Sequence, residues 1–487
     1  MTDNLQVVAG LKPEPVWRYF AEIAQIPHCS KNEGAIAKYV MDTAARLGLQ
    51  AQQDKTGNVI VRKPASAGRE GARSVCLQGH LDMVCEKNKD KVFDFAKNGI
   101  ELTRKDNVLM ANGTTLGADN GIAVATNLAI MEDKSLEHGP LELLFTIDEE
   151  TGLTGANNLA PEFVKSRTLL NLDSEEEGAL YVGCSGGRDS TGTFAIGFEP
   201  TPADTAAVLI AVKGLKGGHS GLDIDKGRGN GIRILNRALM SLADLGVRVA
   251  TITGGNKRNA IPREAEALVF VPRKKLEEAQ RVVAELAATV KGELGTVEPD
   301  VAIDWLPQKG KRAKVMKKAQ FKKLSLTLAA LPHGVLKMSA DIPGLVETST
   351  NLAVIETTKK GVVVSTSQRS SVASEIDEAA TMVRSVLDLG GALVTGSDGY
   401  PGWKPNMQSQ ILAVAKDTYR QLNGKDPHVK AIHAGLECGI IGEKCPGMDM
   451  VSFGPTLEAV HSPDEKIFID TVPRFWDFLT AILRGVR

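Results

Sequence analysis

No stretch of this sequence stays apolar for the roughly 20 residues that a membrane span requires, and Met1 to Gly10 lacks a basic-then-apolar signal pattern. Neither a membrane protein nor a secreted one is expected, and a cytoplasmic location is. Neither sign of charge is in surplus: 58 basic against 59 acidic side chains leave a formal charge of -1, which removes any global pull toward nucleic acid or a lipid surface. A small molecule is the expected partner. Cysteine is sparse and unpatterned. Cys29, Cys76, Cys85, Cys184, Cys438 and Cys445 show no CxxC spacing, which argues against a disulfide framework and a thiolate zinc site and leaves buried free thiols as the expectation. A phosphate cradle is missing too, because the glycine-rich stretch Gly113 to Gly121 lacks the Lys-Ser/Thr ending of a P-loop and the spacing of a dinucleotide fingerprint.

What is present is ordinary globular material, 43% hydrophobic and 24% charged, in a chain of 487 residues that is too long for one compact core. Short apolar strands alternate with amphipathic helices up to about Ser185, which predicts an α/β domain. A Gly186-Gly187 turn then leads into antiparallel-looking elements, and the first pattern returns only near Tyr400. The reading is an inserted α+β domain over 188–398, made of two successive strand-and-helix lobes, within a first domain formed by 1–187 and 399–487.

Carboxylates collect where the apolar strands stop. The run Leu141 to Ile147 ends at Asp148-Glu149-Glu150, and adjacent acids at the mouth of a buried strand need a cation or solvent to neutralise them. Strand alternation would send Glu149 and Glu150 different ways, one toward a metal and the other toward a substrate water; an acidic helix N-terminus before Thr151 is the competing reading. Other strands lead to His80 with Asp82, to Asp173 and to His461, and the loop Gly113 to Gly121 delivers Asp119. The acids Glu175 to Glu177 read as a solvated turn. Two imidazoles, three carboxylates and no thiolate suit two zinc ions sharing one bridging carboxylate, and cobalt or manganese would suit the same donors.

In the inserted domain, His219 sits on the flexible stretch Gly214 to Gly221, Asn259 opens a polar turn, and Arg369 closes a strand over Val362 to Thr366, where it can clamp a carboxylate with two hydrogen bonds. The run Lys309 to Lys323 holds eight basic residues and no acid; with balanced total charge it reads as a solvated helix face, not a nucleic-acid site.

Together, HLDMV (80 to 84), GTTLGADNG (113 to 121), DEETG (148 to 152), NLDSEEEG (171 to 178), KGLKGGHSG (213 to 221), NAIPRE (259 to 264), HAGLECG (433 to 439) and GPTLEAVHSPDE (454 to 465) resemble the co-catalytic zinc exopeptidases over nearly the whole chain. The resemblance implies a mixed catalytic sheet flanked by helices, with the insert acting as a lid, and hydrolysis of dipeptides. It further implies that Asp119 bridges two zinc ions, with His80 and Asp173 completing one site and Glu150 and His461 the other. Glu149 is then the general base, Asp82 the acid behind His80, His219 the oxyanion donor, and Arg369 with Asn259 the holders of the substrate carboxylate. It also implies a cis peptide between Asp119 and Asn120. Cys85 departs from the pattern, since relatives commonly have proline there. The doubled insert favours His219 serving its own chain, whether or not the protein forms a homodimer. A deacylase of N-acyl amino acids on the same metal core, and a non-catalytic metal-binding descendant, stay open; the intact Glu149 argues against the second.

Overall fold

The computed structural model describes residues 3–310 and 313–487, so Lys311 and Arg312 of the basic run lie outside the described residues. The chain divides into two units. One takes the chain to Gly183 and resumes over Pro405–Ala431 and Leu436–Arg487; the other covers Cys184–Lys404 and Ile432–Gly435.

In the first unit the continuous apolar runs become strands covered on both faces. Val75–His80, Leu141–Thr146 and Thr168–Asn171 are buried at every position and lie side by side in parallel, Val75 opposite Leu141 and Cys76 opposite Leu169. Asp449–Ser452, from far down the chain, adds another parallel strand against Thr168–Asn171. Val59–Lys63 and Ala179–Cys184 join antiparallel on either side of this block, and Gln50–Gln53 and His428–Ile432 complete an eight-stranded sheet. Parallel strands put their carboxyl ends on one edge, so His80 and the residues that follow Thr146 and Asn171 share it.

The helix Ala118–Glu132 is apolar on nearly every side and is buried from Asn120 to Met131; it packs on Val75–His80 and on the helix Glu14–Ile23. Gly79 is required at this contact, because a Cβ there would come 2.4 Å from the Asn120 side-chain oxygen. Among the described residues no helix is long and apolar enough to cross a membrane.

Cys29 and Cys85 form a disulfide, which corrects the expectation of six unbridged thiols; Cys76, Cys184, Cys438 and Cys445 are buried and form no disulfide. Their spacing of 56 residues carries no recognisable pattern. They meet because Cys29 bridges Met83 and the Met83 N–H donates to the His28 carbonyl at 3.2 Å, so the two segments run side by side. The acidic turn after Asp173 is ion-paired as well as solvated: Lys430 donates to Glu176 and Arg474 to both oxygens of Glu177.

The second unit carries a nine-stranded sheet, largely antiparallel. Its two halves meet where Thr253 and Gly254 of Arg248–Gly254 pair with Glu356 and Ile355 of Val346–Thr358. One core serves both, joining Ile232 and Leu235 of the helix Gly231–Ser241 to Leu324 and Leu328 of Lys318–Ala330 and to Val383 and Leu387 of Ala373–Leu389. The expected Gly186-Gly187 turn is instead the start of the strand Gly186–Phe194. These glycines provide clearance, not a bend: a Cβ on Gly186 would lie 2.5 Å from the Tyr400 carbonyl, and one on Gly187 2.6 Å from the Tyr400 ring. Arg369 lies within the strand Gly361–Ser370, not beyond its end, because the strand continues past Thr366.

Candidate active site

The five sequence-nominated donors converge at the carboxyl edge of the first unit's sheet. His80, the last residue of its strand, is buried and places Nε2 3.2 Å from Asp119 Oδ1 and 3.3 Å from Asp173 Oδ1. His461, half exposed and in a left-handed backbone conformation (φ 61°), places Nε2 3.2 Å from Asp119 Oδ2 and 3.0 Å from Glu150 Oε2. Asp119 thus turns one oxygen to each imidazole. In each of the sets His80-Asp119-Asp173 and Asp119-Glu150-His461, the ligand atoms lie within 4.8 Å of one another.

Glu149 and Glu150 do not part by strand alternation, because the extended run ends at Thr146 and Glu149–Gly152 is a helical turn entered through Asp148 in the left-handed region (φ 49°). Successive residues of such a turn point about 100° apart, which still separates the two carboxylates. The acidic helix start and the donor cluster are one feature. Beneath it, Asp82 accepts the N–H groups of Glu149 at 3.0 Å and Glu150 at 3.2 Å and the Ser30 hydroxyl at 2.8 Å. His80 Nδ1 is 3.0 Å from the Asp82 carbonyl and 3.3 Å from its carboxylate, so Asp82 steadies the imidazole and the Glu149-Glu150 turn together.

Asn120, which the sequence reading passed over, fastens the far side. Its side-chain oxygen accepts the His80 N–H at 3.1 Å and its amide donates to the Leu172 carbonyl at 3.0 Å. The Asp119-Asn120 peptide is cis, and both residues depart from helical φ/ψ, so Asp119 points out of the helix start. Neither Asn120 nor the buried Glu465, which binds the same loop, carries a chemical signature in sequence, since both act on backbone groups.

The electrostatics are those of a cation site. Burial pushes the Glu149 carboxyl well above the usual range, against the attraction of His80 and with repulsion from Asp173. Burial likewise lifts Asp173 to about 6. Asp119 is held low despite its burial, by His461 and His80. Hydrogen bonds to Asp119 and Glu150 lift His461 to about 11, and His80 rises well above its ordinary value, desolvation notwithstanding, through Asp173 and Asp119. Asp82 is brought to about 2, against desolvation, by His80 and by the N–H of Glu149. One buried oxygen, Glu150 Oε1, has no hydrogen-bond partner, and Asp173 Oδ1 faces the His80 imidazole at 3.3 Å. Oxygen and imidazole donors, an orphaned carboxylate oxygen on Glu150 and the absence of thiolate fit divalent cations of the zinc, cobalt or manganese kind.

The acids Glu33, Asp82 and Asp148 form a further buried cluster, but protein donors serve each of them: Glu33 takes the Asp148 N–H at 3.0 Å, and Thr151 and Thr154 donate to Asp148.

The second unit brings its nominated residues together as well. Gly218–His219 pairs with Ala260–Ile261, and the Ser220 N–H donates to the Asn259 carbonyl at 2.8 Å. Arg369, 7% exposed, donates to the Ser220 hydroxyl at 3.3 Å and to the Tyr400 hydroxyl at 3.0 Å; among the described residues no carboxylate forms an ion pair with it. Burial and the Arg369 charge bring His219 down to about 4. Its Nδ1 accepts the N–H groups of Gly221 and Leu222, each at 3.2 Å, which leaves the proton of the neutral ring on Nε2. His433, from a motif given no role, is buried beside this group with its Nε2 2.7 Å from the Ser349 hydroxyl.

A family model described as Peptidase family M20/M25/M40 matches residues 76–485. The cytosol non-specific dipeptidase of Escherichia coli K12 is 40% identical over 480 residues, spanning 98% of this chain and 99% of that one. The crystal structure of an aminoacylhistidine dipeptidase from Vibrio alginolyticus superposes with a TM-score of 0.91 at 43% identity, covering 99% of this chain and 98% of its own. An aminopeptidase from Bacillus cereus, 17% identical with a TM-score of 0.56 and 98% of this chain covered, against 99% of its own, shares the fold.

Proposed function

Because the chain belongs to Peptidase family M20/M25/M40, we propose that it is a dipeptidase, hydrolysing dipeptides of broad sequence, Xaa-His among them, in the cytoplasm. The observation that carries this reading is the convergence of His80, Asp119, Glu150, Asp173 and His461 with Glu149 beside them.

His80 and Asp173 are assigned to one cation and Glu150 and His461 to a second, with Asp119 shared; zinc is the ion proposed, with cobalt or manganese as substitutes. Bound there, the cations supply Lewis acidity and lower the pKa of water. Glu149, whose burial raises its proton affinity above that of an ordinary carboxylate, takes a proton from the attacking water and passes it to the leaving amine. Asp82 holds His80 and the Glu149-Glu150 turn in place while this happens. His219 donates from Nε2 to the developing oxyanion. Arg369, buried and with no acidic partner among the ion pairs of the described residues, takes the substrate carboxylate together with Asn259.

Two variants test the assignment. Glu149→Ala is expected to lose turnover on a dipeptide library by 10²-fold or more, on the order of a removed general base, with metal content nearly intact. Asp119→Ala is expected to lose metal as well, because two cations would face each other unshielded. Substantial metal loss in a folded Glu149→Ala protein overturns the roles, and turnover of N-acetyl amino acids in preference to dipeptides overturns the substrate class. His219 is assigned to the centre of its own chain, whether the protein works alone or as a homodimer. Activity recovered by co-refolding His219→Ala with Glu149→Ala chains overturns that assignment.

A further inference from the structure

Glu465 is 2% exposed, lies four residues beyond His461, and has no basic side chain as partner among the ion pairs of the described residues. Its carboxylate is instead taken up entirely by backbone. Oε2 accepts the N–H groups of Leu116 at 2.7 Å and Gly117 at 3.0 Å, and Oε1 those of Ala118 at 2.8 Å and Asp119 at 3.2 Å. Four consecutive donors at the start of a helix would otherwise point inward unsatisfied, and the helix has no side-chain cap of its own at Gly117. An acid placed there also meets the positive end of the helix dipole.

The consequence lies in what stands at each end of this clamp. On one side is the backbone of Asp119, whose carboxylate faces both imidazoles. On the other, four residues of chain lead back to His461, which has little else to hold it: it is half exposed and sits in a left-handed conformation, where Ser462 accepts from Glu465 N–H through its carbonyl at 3.0 Å. After Glu465 the chain is anchored, since Lys466–Phe468 pairs with the strand Val108–Ala111. The inner set is braced separately. His80 terminates a buried strand and is tied to Asn120, which is tied in turn to Leu172 beside Asp173.

We propose that Glu465 is a positioning residue for the outer cation set, fixing Asp119 and His461 relative to each other, while the inner set His80-Asp119-Asp173 is held by Asn120. The inference rests on the two-cation reading above. Glu465→Gln keeps the size of the side chain but presents amide hydrogens to backbone N–H groups that need acceptors, so half the clamp becomes repulsive.

The test is a cobalt(II) titration of the metal-free protein, followed by absorption and by calorimetry, with thermal unfolding of the metal-free form as a control on folding. Wild type is expected to bind two cations. Glu465→Gln is expected to bind the first with affinity within a few-fold of wild type and the second 10- to 100-fold more weakly, the range found when groups behind metal ligands are removed. A purely structural role would lower the unfolding midpoint and leave both affinities in place. Glu465→Asp, which keeps the charge but falls one methylene short, carries the same titration if the Gln variant does not fold, and is expected to weaken the second cation by less. Unchanged binding of both cations in a folded variant, or equal weakening of both, overturns the proposal. Fewer than two cations in wild type would instead undo the reading it rests on.

Discussion

A neutral imidazole has one proton to place, and in His219 the backbone places it. Because Gly221 and Leu222 both donate to Nδ1, Nε2 carries the hydrogen and can only donate, which is what an oxyanion requires. His219→Ala is therefore expected to lower kcat by about 10²- to 10³-fold, the usual cost of one oxyanion donor, with KM shifted only a few-fold; steady-state kinetics on one dipeptide check this. The same residue and two other imidazoles of the second unit, His433 and His333, the latter against Asn230 and Leu352, titrate below their ordinary range. His219 and His333 are brought to about 4, and His433 to about 3, chiefly by burial. In the unfolded chain each returns to about 6.5, so between these values the unfolded state binds more protons and stability falls as pH drops. Measured at pH 7 and at pH 5, the denaturant midpoint of His333→Gln, in which one such group no longer titrates, is expected to gain on that of wild type as pH drops.

At the scale of elements, the strands that end in the clustered acids and histidines were legible because burial on both faces demands unbroken apolar runs, and such a run announces its end when acids or histidine follow. His80, Glu150 and Asp173 were found in that way. Leu102–Lys105 and Val108–Ala111 were not, since the first reads Leu-Thr-Arg-Lys and buries only Leu102. Asn120 and Glu465 were illegible for a different reason: a side chain that serves backbone N–H groups can be recognised only when the backbone is seen. The Cys29–Cys85 disulfide belongs with them, because two segments must first lie side by side. It brackets Ser30 and Asp82, whose hydrogen bond of 2.8 Å holds the strand end beneath the Glu149-Glu150 turn. Closing a loop of 56 residues contributes about 4 kcal/mol in the chain-entropy account. The double variant Cys29→Ser, Cys85→Ser is accordingly expected to unfold at lower denaturant, and to lose activity before it loses secondary structure, as followed by circular dichroism alongside turnover.

For the whole molecule, the insertion was readable from the change of strand pattern near Ser185 and its return near Tyr400. The merging of its two lobes into one sheet was not readable, because only two residue pairs, Thr253 with Glu356 and Gly254 with Ile355, make the seam. The order of strands in the catalytic sheet has a further effect, on the chain as it is made. Asp449–Ser452 lies between Thr168–Asn171 and Ala179–Cys184, strands formed from sequence far upstream. While the ribosome is still adding the intervening residues, Thr168–Asn171 has one edge unpaired, and His461 has not been added. The inserted unit, with its own core, can settle first. A nascent dipeptidase is thus inert by construction until Asp449–Ser452 is threaded home and His461 follows it, so an unfinished copy has no means of cutting peptides.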